Sequence, residues 1–220
     1  MVKKMESQAE SFLTNPRLPA VAVILGALAL YLLLPGQLTL GPSWILAALE
    51  AALVIILAIT SQYRSKHAKS LRYLSILLIG LIGLANLISV GLLVHLLLHG
   101  TLASGTQLFF SALEIWLTNV LAFALWFWEI DRGGPVERTK DLTSYPDFLF
   151  PQMTQTGLCD PDWIPGLVDY IYLSLTNATA FSPTDTMPLT PIAKILMGVE
   201  SLVSLLTVTI VAARAINILH

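Results

Sequence analysis

Charged side chains are scarce in this 220-residue chain, of which only 12% are Asp, Glu, Lys or Arg. A typical soluble domain has about 25% charged residues. Hydrophobic residues make up 55% of the chain, and the mean hydropathy is +0.75. The composition therefore predicts an integral membrane protein whose surroundings are a lipid bilayer. The net charge of −2 offers no basic surface, so we expect no binding to nucleic acid.

The chain also lacks the residues that most metal centres and active sites need. Cys159 is the single cysteine, which excludes an intrachain disulfide and a site built from several thiolates. His95 and His99 lie one helical turn apart, but the chain has no second His pair to complete a haem or metal site. Neither a Gly-rich phosphate loop nor a spacing of Ser, His and Asp typical of nucleophilic catalysis is present. We therefore expect no enzyme, no cofactor and no metal.

Long apolar runs are abundant. A membrane span needs about 20 mostly apolar residues. Five runs predict spans, at 18–35, 44–61, 71–98, 107–130 and 191–219. No small-residue cleavage pattern follows the first run, so we interpret it as a retained helix and not a signal peptide. The predicted fold class is an all-α polytopic membrane protein with five transmembrane helices.

One further apolar segment is too short and too polar for a span. The sequence PGLVDYIYLSLTNATAF, residues 165–181, predicts a helix of about four turns that carries Asp169 and Asn177. The Pro-rich stretch after it cannot continue the helix. Irregular backbone inside a membrane is tolerated only where it is buried in protein or lines a watery cavity. We therefore predict a re-entrant helix and turn immediately before the last span.

Basic residues bear on the orientation of the chain in the membrane. Lys and Arg are concentrated in the N-terminal segment, in loop 62–72 and in the long loop 131–163. The positive-inside rule places these three segments in the cytoplasm, and five spans then leave the C-terminus outside. The long loop is expected to be a surface loop, with Phe148, Phe150 and Trp163 lying on the membrane interface.

The part of the chain from 163 to 219 resembles potassium-channel-like pore domains. DYIYLSLTNAT, residues 169–179, matches the aromatic-rich pore helix, and AFSPT, residues 180–184, falls where such channels have their glycine-rich filter. Asp185 corresponds to the acid after the filter and Pro188 to the proline after that acid. The resemblance implies a pore that opens at the contact of several copies, most simply a homotetramer.

This resemblance divides the chain into two regions. Residues 1–106 form an N-terminal three-helix region, and residues 107–220 form a region similar to a pore domain. The second region comprises an outer helix (107–130), a loop (131–163), a pore helix and filter-like turn (164–188) and an inner helix (190–219). The motifs WEIDRGGP, DFLFPQ and AFSPTDTMPLT also resemble an uncharacterised bacterial family of multi-pass membrane proteins. That likeness implies a location in the bacterial inner membrane.

The filter-like turn departs from the potassium pattern. Potassium filters use two glycines so that alternate carbonyls can point at the axis. Pro183, whose φ is fixed near −65°, cannot take that conformation. We expect the usual potassium selectivity to be lost, with hydroxyl groups and Asp185 serving as ligands for partly hydrated monovalent cations. The predicted ion-pathway residues are Thr179, Ala180, Phe181, Ser182, Pro183, Thr184 and Asp185, with Glu200 and Ser204 as polar residues of the inner helix.

Three functions remain open at this stage. The first is a cation channel with a divergent filter. The second is a non-conducting scaffold or regulatory protein that retains a pore-like fold, with Phe181 plugging the axis. The third is a proton-coupled carrier that uses Glu114 and Glu200, for which no inverted repeat is visible.

The carboxyl groups within predicted spans admit two interpretations. Glu50, Glu114 and Glu200 could handle ions or protons, because ionisable residues inside membranes face cavities or partners. Alternatively they join helices through hydrogen bonds. The candidate partners for such bonds are Asn86, His95 and Asn119.

Overall fold

The structure is a computed structural model in which residues 23, 26, 29, 48, 52, 68–99, 105–138, 144–154, 157, 163–179 and 185–218 are described. The predicted spans 18–35 and 44–61 lie outside these residues, apart from five isolated positions that are helical. Two of those positions, Val23 and Ala52, pack against the core. All other described residues lie in the part of the chain from residue 68 onward.

The described residues from Ala68 onward form five α-helices and two short strands. The helices are α1 (Ala68–His99), α2 (Gly105–Ile130), α3 (Pro135–Arg138), α4 (Leu167–Thr179) and α5 (Pro191–Ile218). Single 3₁₀ turns occupy Asp131–Gly133 and Pro151–Met153. The strands β1 (Phe148–Leu149) and β2 (Met187–Pro188) pair in antiparallel orientation.

Three of the helices are long and apolar enough to cross a membrane. The apolar stretches are Arg72–Leu96 in α1, Leu108–Gly133 beginning in α2, and Pro191–Ile210 in α5. They coincide with the third, fourth and fifth predicted spans. The described chain is thus mostly helical and has the apolar helices of an all-α membrane protein. The total of five spans stays a prediction.

Helix α2 lies at the centre and packs against α1, α4 and α5. The contact with α1 is close because Gly80 and Gly83 of α1 leave room for the indole of Trp126. The Nε of Arg72, at the start of α1, donates to the carbonyl of Glu129 at 3.1 Å. The beginning of α1 therefore lies beside the end of α2, and the two helices run antiparallel.

Helix α4 also runs antiparallel to α2. Its first turns lie beside the end of α2, where the hydroxyl of Tyr170 donates to Asp131 at 2.5 Å. One turn further along α4, the hydroxyl of Ser174 lies 2.7 Å from the carbonyl oxygen of Val120. The helix has 13 residues and is about 20 Å long, which is shorter than the roughly 30 Å hydrocarbon core of a bilayer.

After α4 the chain returns to the end of the bundle from which α4 started. Pro188 of β2 is paired with Phe148 of β1, and the next residue, Leu189, donates its N–H to the carbonyl of Asp147 at 2.8 Å. Helix α5 then starts at this same end and runs parallel to α4. The segment between α4 and β2, residues 180–184, lies outside the described residues.

The expectation that Phe148 and Phe150 of the segment 131–163 lie on the membrane interface is wrong. Phe148 and Phe150 are buried in the core. The ring of Phe148 lies 5.0 Å from that of Phe127 and 6.3 Å from that of Tyr170, measured between centroids. Phe150 contacts Tyr170 and the half-buried Trp163. These rings pack between the end of α2 and the start of α4.

We expect Gly134→Ala to destabilise the fold more than Gly157→Ala. Both glycines have positive φ, 94° and 90° respectively, and an alanine in such a conformation costs about 1–3 kcal/mol. A Cβ at position 134 would also lie 3.2 Å from both the Nε of Arg72 and the carbonyl oxygen of Glu129, whereas nothing lies within 4 Å of a Cβ at 157. Thermal denaturation in detergent measures the difference. Equal losses of Tm in the two variants would contradict this packing.

Candidate functional site

A tight turn ends α2 and directs an acidic side chain into the protein. Arg132, Gly133 and Gly134 all have positive φ, which is incompatible with a continuing α-helix. The N–H of Gly134 donates to the carbonyl of Asp131 at 2.9 Å and closes the turn. As a result the side chain of Asp131, which directly follows the helix, is fully buried.

The carboxylate of Asp131 is held by two hydrogen bonds and by ion pairs with Arg138 and with Arg132, whose Nε lies 3.8 Å from Oδ2. Its Oδ1 accepts a hydrogen bond from the backbone N–H of Asp147 at 2.8 Å, and its Oδ2 accepts one from the hydroxyl of Tyr170 at 2.5 Å. The Nη1 of Arg138 forms an ion pair with Oδ2 at 3.6 Å. A buried charge is tolerated only when it is paired and hydrogen-bonded, and both conditions are met here.

Arg138 completes this environment. Its Nη1 donates to the carbonyls of Trp128 and Asp131 at 3.2 and 3.0 Å, so the cation also neutralises the carbonyl end of α2. Its guanidinium lies 5.0 Å from the ring centroid of Tyr170, within cation–π range. Burial raises the pKa of Tyr170 well above its ordinary value; Arg138 opposes that rise and the Asp131 charge adds to it. The phenol therefore keeps its proton and remains a donor to Asp131.

A second aspartate fixes the start of α5. The Oδ2 of Asp147 accepts from the N–H of Arg132 at 3.0 Å, and its Oδ1 accepts from the hydroxyl of Thr190 at 2.7 Å. Thr190 directly precedes α5, and its Oγ1 lies 3.4 Å from the N–H of Ala193, in the position of an N-cap. Asp131 and Asp147 therefore tie the starts of α4 and α5 to the end of α2. We call this arrangement the Asp131 junction; it comprises Asp131, Arg138, Asp147, Tyr170 and Thr190.

A second polar cluster lies between α4 and α5, further from the end of α2. Glu200 is fully buried. Its Oε1 is hydrogen-bonded to the hydroxyl of Ser174, and its Oε2 accepts from the Nδ2 of Asn177 at 2.6 Å. The same Nδ2 donates to the carbonyl of Met197 at 2.9 Å, and the hydroxyl of Ser201 donates to the Oδ1 of Asn177 at 3.2 Å. We call these five residues the Glu200 cluster.

Helical spacing explains why these side chains meet. Ser174 and Asn177 lie three residues apart and therefore on one face of α4, while Met197, Glu200 and Ser201 lie on one face of α5. Because the two helices run parallel and start at the same end, the two faces remain opposite each other. A single glutamate can thus contact two successive polar side chains of α4.

The hydrogen-bond partners of the carboxyl groups in the predicted spans differ from the expected ones. The predicted partners of Glu200 among Asn86, His95 and Asn119 are wrong, because Glu200 binds side chains of α4 instead. Asn119 donates to the hydroxyl of Ser204 at 3.2 Å, which joins α2 to α5. The Oε2 of Glu114 and the Nδ2 of Asn86 are buried and have no hydrogen-bond partner among the described residues. Glu50 lies outside the described residues.

The predicted filter is described only at its two ends. Thr179 is the last residue of α4, and its hydroxyl donates to the carbonyl of Thr176 at 3.0 Å. Asp185 is exposed. Within the described residues, no hydrogen bond joins either of them to Glu200 or Ser204. The remaining predicted ion-pathway residues, Ala180, Phe181, Ser182, Pro183 and Thr184, lie outside the described part of the chain.

Thr179 borders an open groove between α2 and α5 with a volume of about 300 Å³. The other residues that line the groove are Phe109, Ala112, Leu113, Trp116, Thr207 and Val208. The lining is almost entirely apolar. Helices α2 and α5 therefore leave a groove open beside the end of α4.

The sequence interpretation missed the residues that hold the site together. Asp131, Asp147 and Tyr170 were not singled out, although each charged residue directly follows or precedes an apolar segment. Ser174 was missed as well. Its spacing from Asn177, three residues along a helix that is otherwise apolar, is the signal that could have identified a polar face. Within the residues that the structure describes, no group of three or more His, Cys, Asp or Glu side chains could hold a metal ion.

We expect Tyr170→Phe to destabilise the protein by about 1–3 kcal/mol, because the substitution removes a hydrogen bond to a buried carboxylate. The ring itself, and hence its contacts with Phe148 and Phe150, is retained. Tyr145→Phe is the matched control, since Tyr145 is 95% exposed. The measurement is the unfolding midpoint of both variants in the same detergent. An unfolding midpoint of Tyr170→Phe that equals that of Tyr145→Phe would show that the Asp131 junction contributes nothing through this bond.

Comparisons with known proteins identify no relative: the chain matches no family model, no curated protein and no solved structure. The likeness to pore domains therefore stays a prediction from the quoted motifs. In the fold, the short helix α4 packs against the longer helices α2 and α5. The Asp131 junction lies at the start of α4, and the Glu200 cluster lies further along it.

Proposed function

We propose that the chain is a channel-like integral membrane protein whose copies surround a common axis and conduct cations through the turn after α4. The observation that carries this proposal is the path of the chain around α4. Both α4 and α5 start beside the Asp131 junction, and β2 lies there too, so the segment between Thr179 and Met187 leads back to the end where α4 began. A helix of this length followed by such a return is the arrangement of a pore helix and its loop.

Packing supports an assembly of several copies. The outward faces of α4 and α5 in a single copy are apolar and exposed. The largest exposed apolar side chains on these faces are Val168, Tyr172, Ile192, Ile195, Leu202, Leu205 and Leu206. The backbone of a turn at membrane depth needs protein or water around it. A single copy leaves one side of α4 uncovered, whereas a ring of copies would enclose the turn.

The chemistry of the turn supports cations as the conducted species. The sequence from Thr179 to Asp185 contains three hydroxyl side chains and one carboxylate, and it has no basic residue. Oxygen ligands of this kind suit cations, and a ring of aspartates at the end of a pore raises the local cation concentration. Because Pro183 cannot adopt the glycine conformation of a potassium filter, we propose a site for partly hydrated ions without the usual potassium selectivity.

The proposal is tested by cation flux into liposomes that contain the purified protein. We expect Asp185→Asn to lower the flux of monovalent cations by roughly tenfold, because the variant removes the negative charge of every copy at the pore entrance. Tyr145→Phe, an exposed substitution outside the turn, should conduct like the wild type. Protein-free liposomes give the background.

Two outcomes would contradict the channel. Flux at background level with every monovalent cation, from protein that is folded and oligomeric, would favour a non-conducting scaffold. Accumulation of a solute against its gradient, driven by a pH difference and abolished by Glu200→Gln, would favour a proton-coupled carrier.

A further inference from the structure

Glu200 is a buried acid that forms no ion pair with any described cation. It is fully buried between α4 and α5, and its hydrogen-bond partners are the uncharged side chains of Ser174 and Asn177. Both ion pairs found in the described part of the chain involve Asp131 instead. Asp131, which is also fully buried, is ion-paired with Arg132 and Arg138, and a lone buried carboxylate is far more costly than a paired one.

The described side chains on the elements around Glu200 form no ion pair with it. Helices α1, α2 and α4 pack against α5 or against the cluster. The titratable side chains that the structure describes on these helices and on α5 are Arg72, Tyr73 and His95, Glu114 and Glu129, Asp169, Tyr170 and Tyr172, and Lys194. None of them is hydrogen-bonded to or ion-paired with Glu200.

The hydrogen bonds of Ser174 indicate where the proton lies. Ser174 has a single hydroxyl hydrogen, yet its Oγ lies within hydrogen-bond distance of two oxygens, the carbonyl of Val120 and the Oε1 of Glu200. A backbone carbonyl can only accept. Both contacts are therefore satisfied at once when Glu200 carries a proton and donates it to Ser174, while Ser174 donates to Val120.

The amide of Asn177 completes this arrangement. One hydrogen of its Nδ2 reaches the Oε2 of Glu200 and the other reaches the carbonyl of Met197. Its Oδ1 accepts from Ser201. With a neutral Glu200, every donor and acceptor of these side chains has a partner. With an anionic Glu200, Ser174 must turn its hydrogen away from Val120, and the charge has two neutral donors and no cation.

We propose that Glu200 is a reversible proton-binding site whose protonated form holds α4 against α5. Loss of the proton leaves a charge that requires water, and water can reach it only if α4 and α5 separate. Ser174 and Asn177 lie on α4, so this separation displaces the end of α4. Resting on the proposed function, the inference is that protonation keeps α4 in the position that conduction requires and that flux falls as the pH rises.

Glu200→Gln is the informative variant because it imitates the protonated acid. The amide nitrogen of the glutamine can donate to Ser174, and its oxygen can accept from Asn177, so the variant should fold. Glu114→Gln is the matched control. It removes the carboxyl group of another glutamate within a membrane span, and it leaves the Glu200 cluster unchanged.

The first measurement does not depend on conduction. Infrared difference spectra of the protein in liposomes, recorded between acid and alkaline pH, should show the carbonyl stretching band of a protonated carboxylic acid that disappears on alkalinisation. Compared with the wild type, Glu200→Gln should lose one component of this band, whereas Glu114→Gln should retain that component. A band in Glu200→Gln that equals the wild-type band, or a component that stays unchanged over the whole pH range in which the protein is folded, would overturn the proton site.

The second measurement is cation flux as a function of pH. Wild type and Glu114→Gln should lose flux as the pH rises, by about tenfold for each pH unit above the midpoint of the titration. Glu200→Gln should conduct at the acid level throughout. If Glu200→Gln keeps the wild-type pH dependence, the proton site is refuted. If the infrared band behaves as expected and no form conducts at any pH, the proton site is supported and the channel is contradicted.

Discussion

The described structure depends on one buried carboxylate, that of Asp131. Helix α4 is too short to cross a bilayer, so its start must be held in place by contacts other than those of a span. The hydroxyl of Tyr170 and the backbone N–H of Asp147 provide those contacts by donating to the two oxygens of Asp131. Removal of either donor would leave part of a buried anion unpaired, which is among the most costly changes that a folded protein can undergo. The start of α4 is therefore fixed beside the end of α2.

The Glu200 cluster has a different character. The Asp131 junction pairs an acid with arginine side chains, whereas the hydrogen-bond partners of Glu200 are neutral groups. The first arrangement suits a fixed support, because both oxygens of Asp131 accept hydrogen bonds and the acid is paired with a cation. The second suits a group that gains and loses a proton. The two clusters hold the same helix, α4, at its start and at its middle, so a change at Glu200 can shift the end of α4 while its start stays in place.

The long helices could be predicted from the sequence because hydropathy is a local property. The apolar runs at 71–98, 107–130 and 191–219 coincide with α1, α2 and α5. The short helix was predicted as well, since the length of its apolar run and the prolines after it limit it on both sides. Hydropathy along the sequence was therefore enough to predict the most apolar helices.

The burial of individual polar groups could not be predicted in the same way. Asp131 lies in a segment with many charged residues, which favours exposure, and its burial depends on Tyr170, 39 residues further along the chain. Glu200 was identified as a candidate, but its partners Ser174 and Asn177 become evident only once α4 and α5 are known to run parallel. Whether a polar residue is buried depends on partners distant in sequence, and a single sequence does not specify those pairs.

The most direct test asks on which side of the membrane the two ends of the α4 segment lie. Cys159 is the single cysteine, so Cys159→Ser gives a chain without thiols into which Tyr145→Cys or Met187→Cys can be introduced at exposed positions that flank α4. A cysteine in the segment 100–104, between α1 and α2, reports the opposite side. If α4 is re-entrant, a membrane-impermeant thiol reagent labels positions 145 and 187 from the same side. Labelling of these two positions from opposite sides would mean that α4 crosses the membrane and would contradict both the pore-loop interpretation and the proposals built on it.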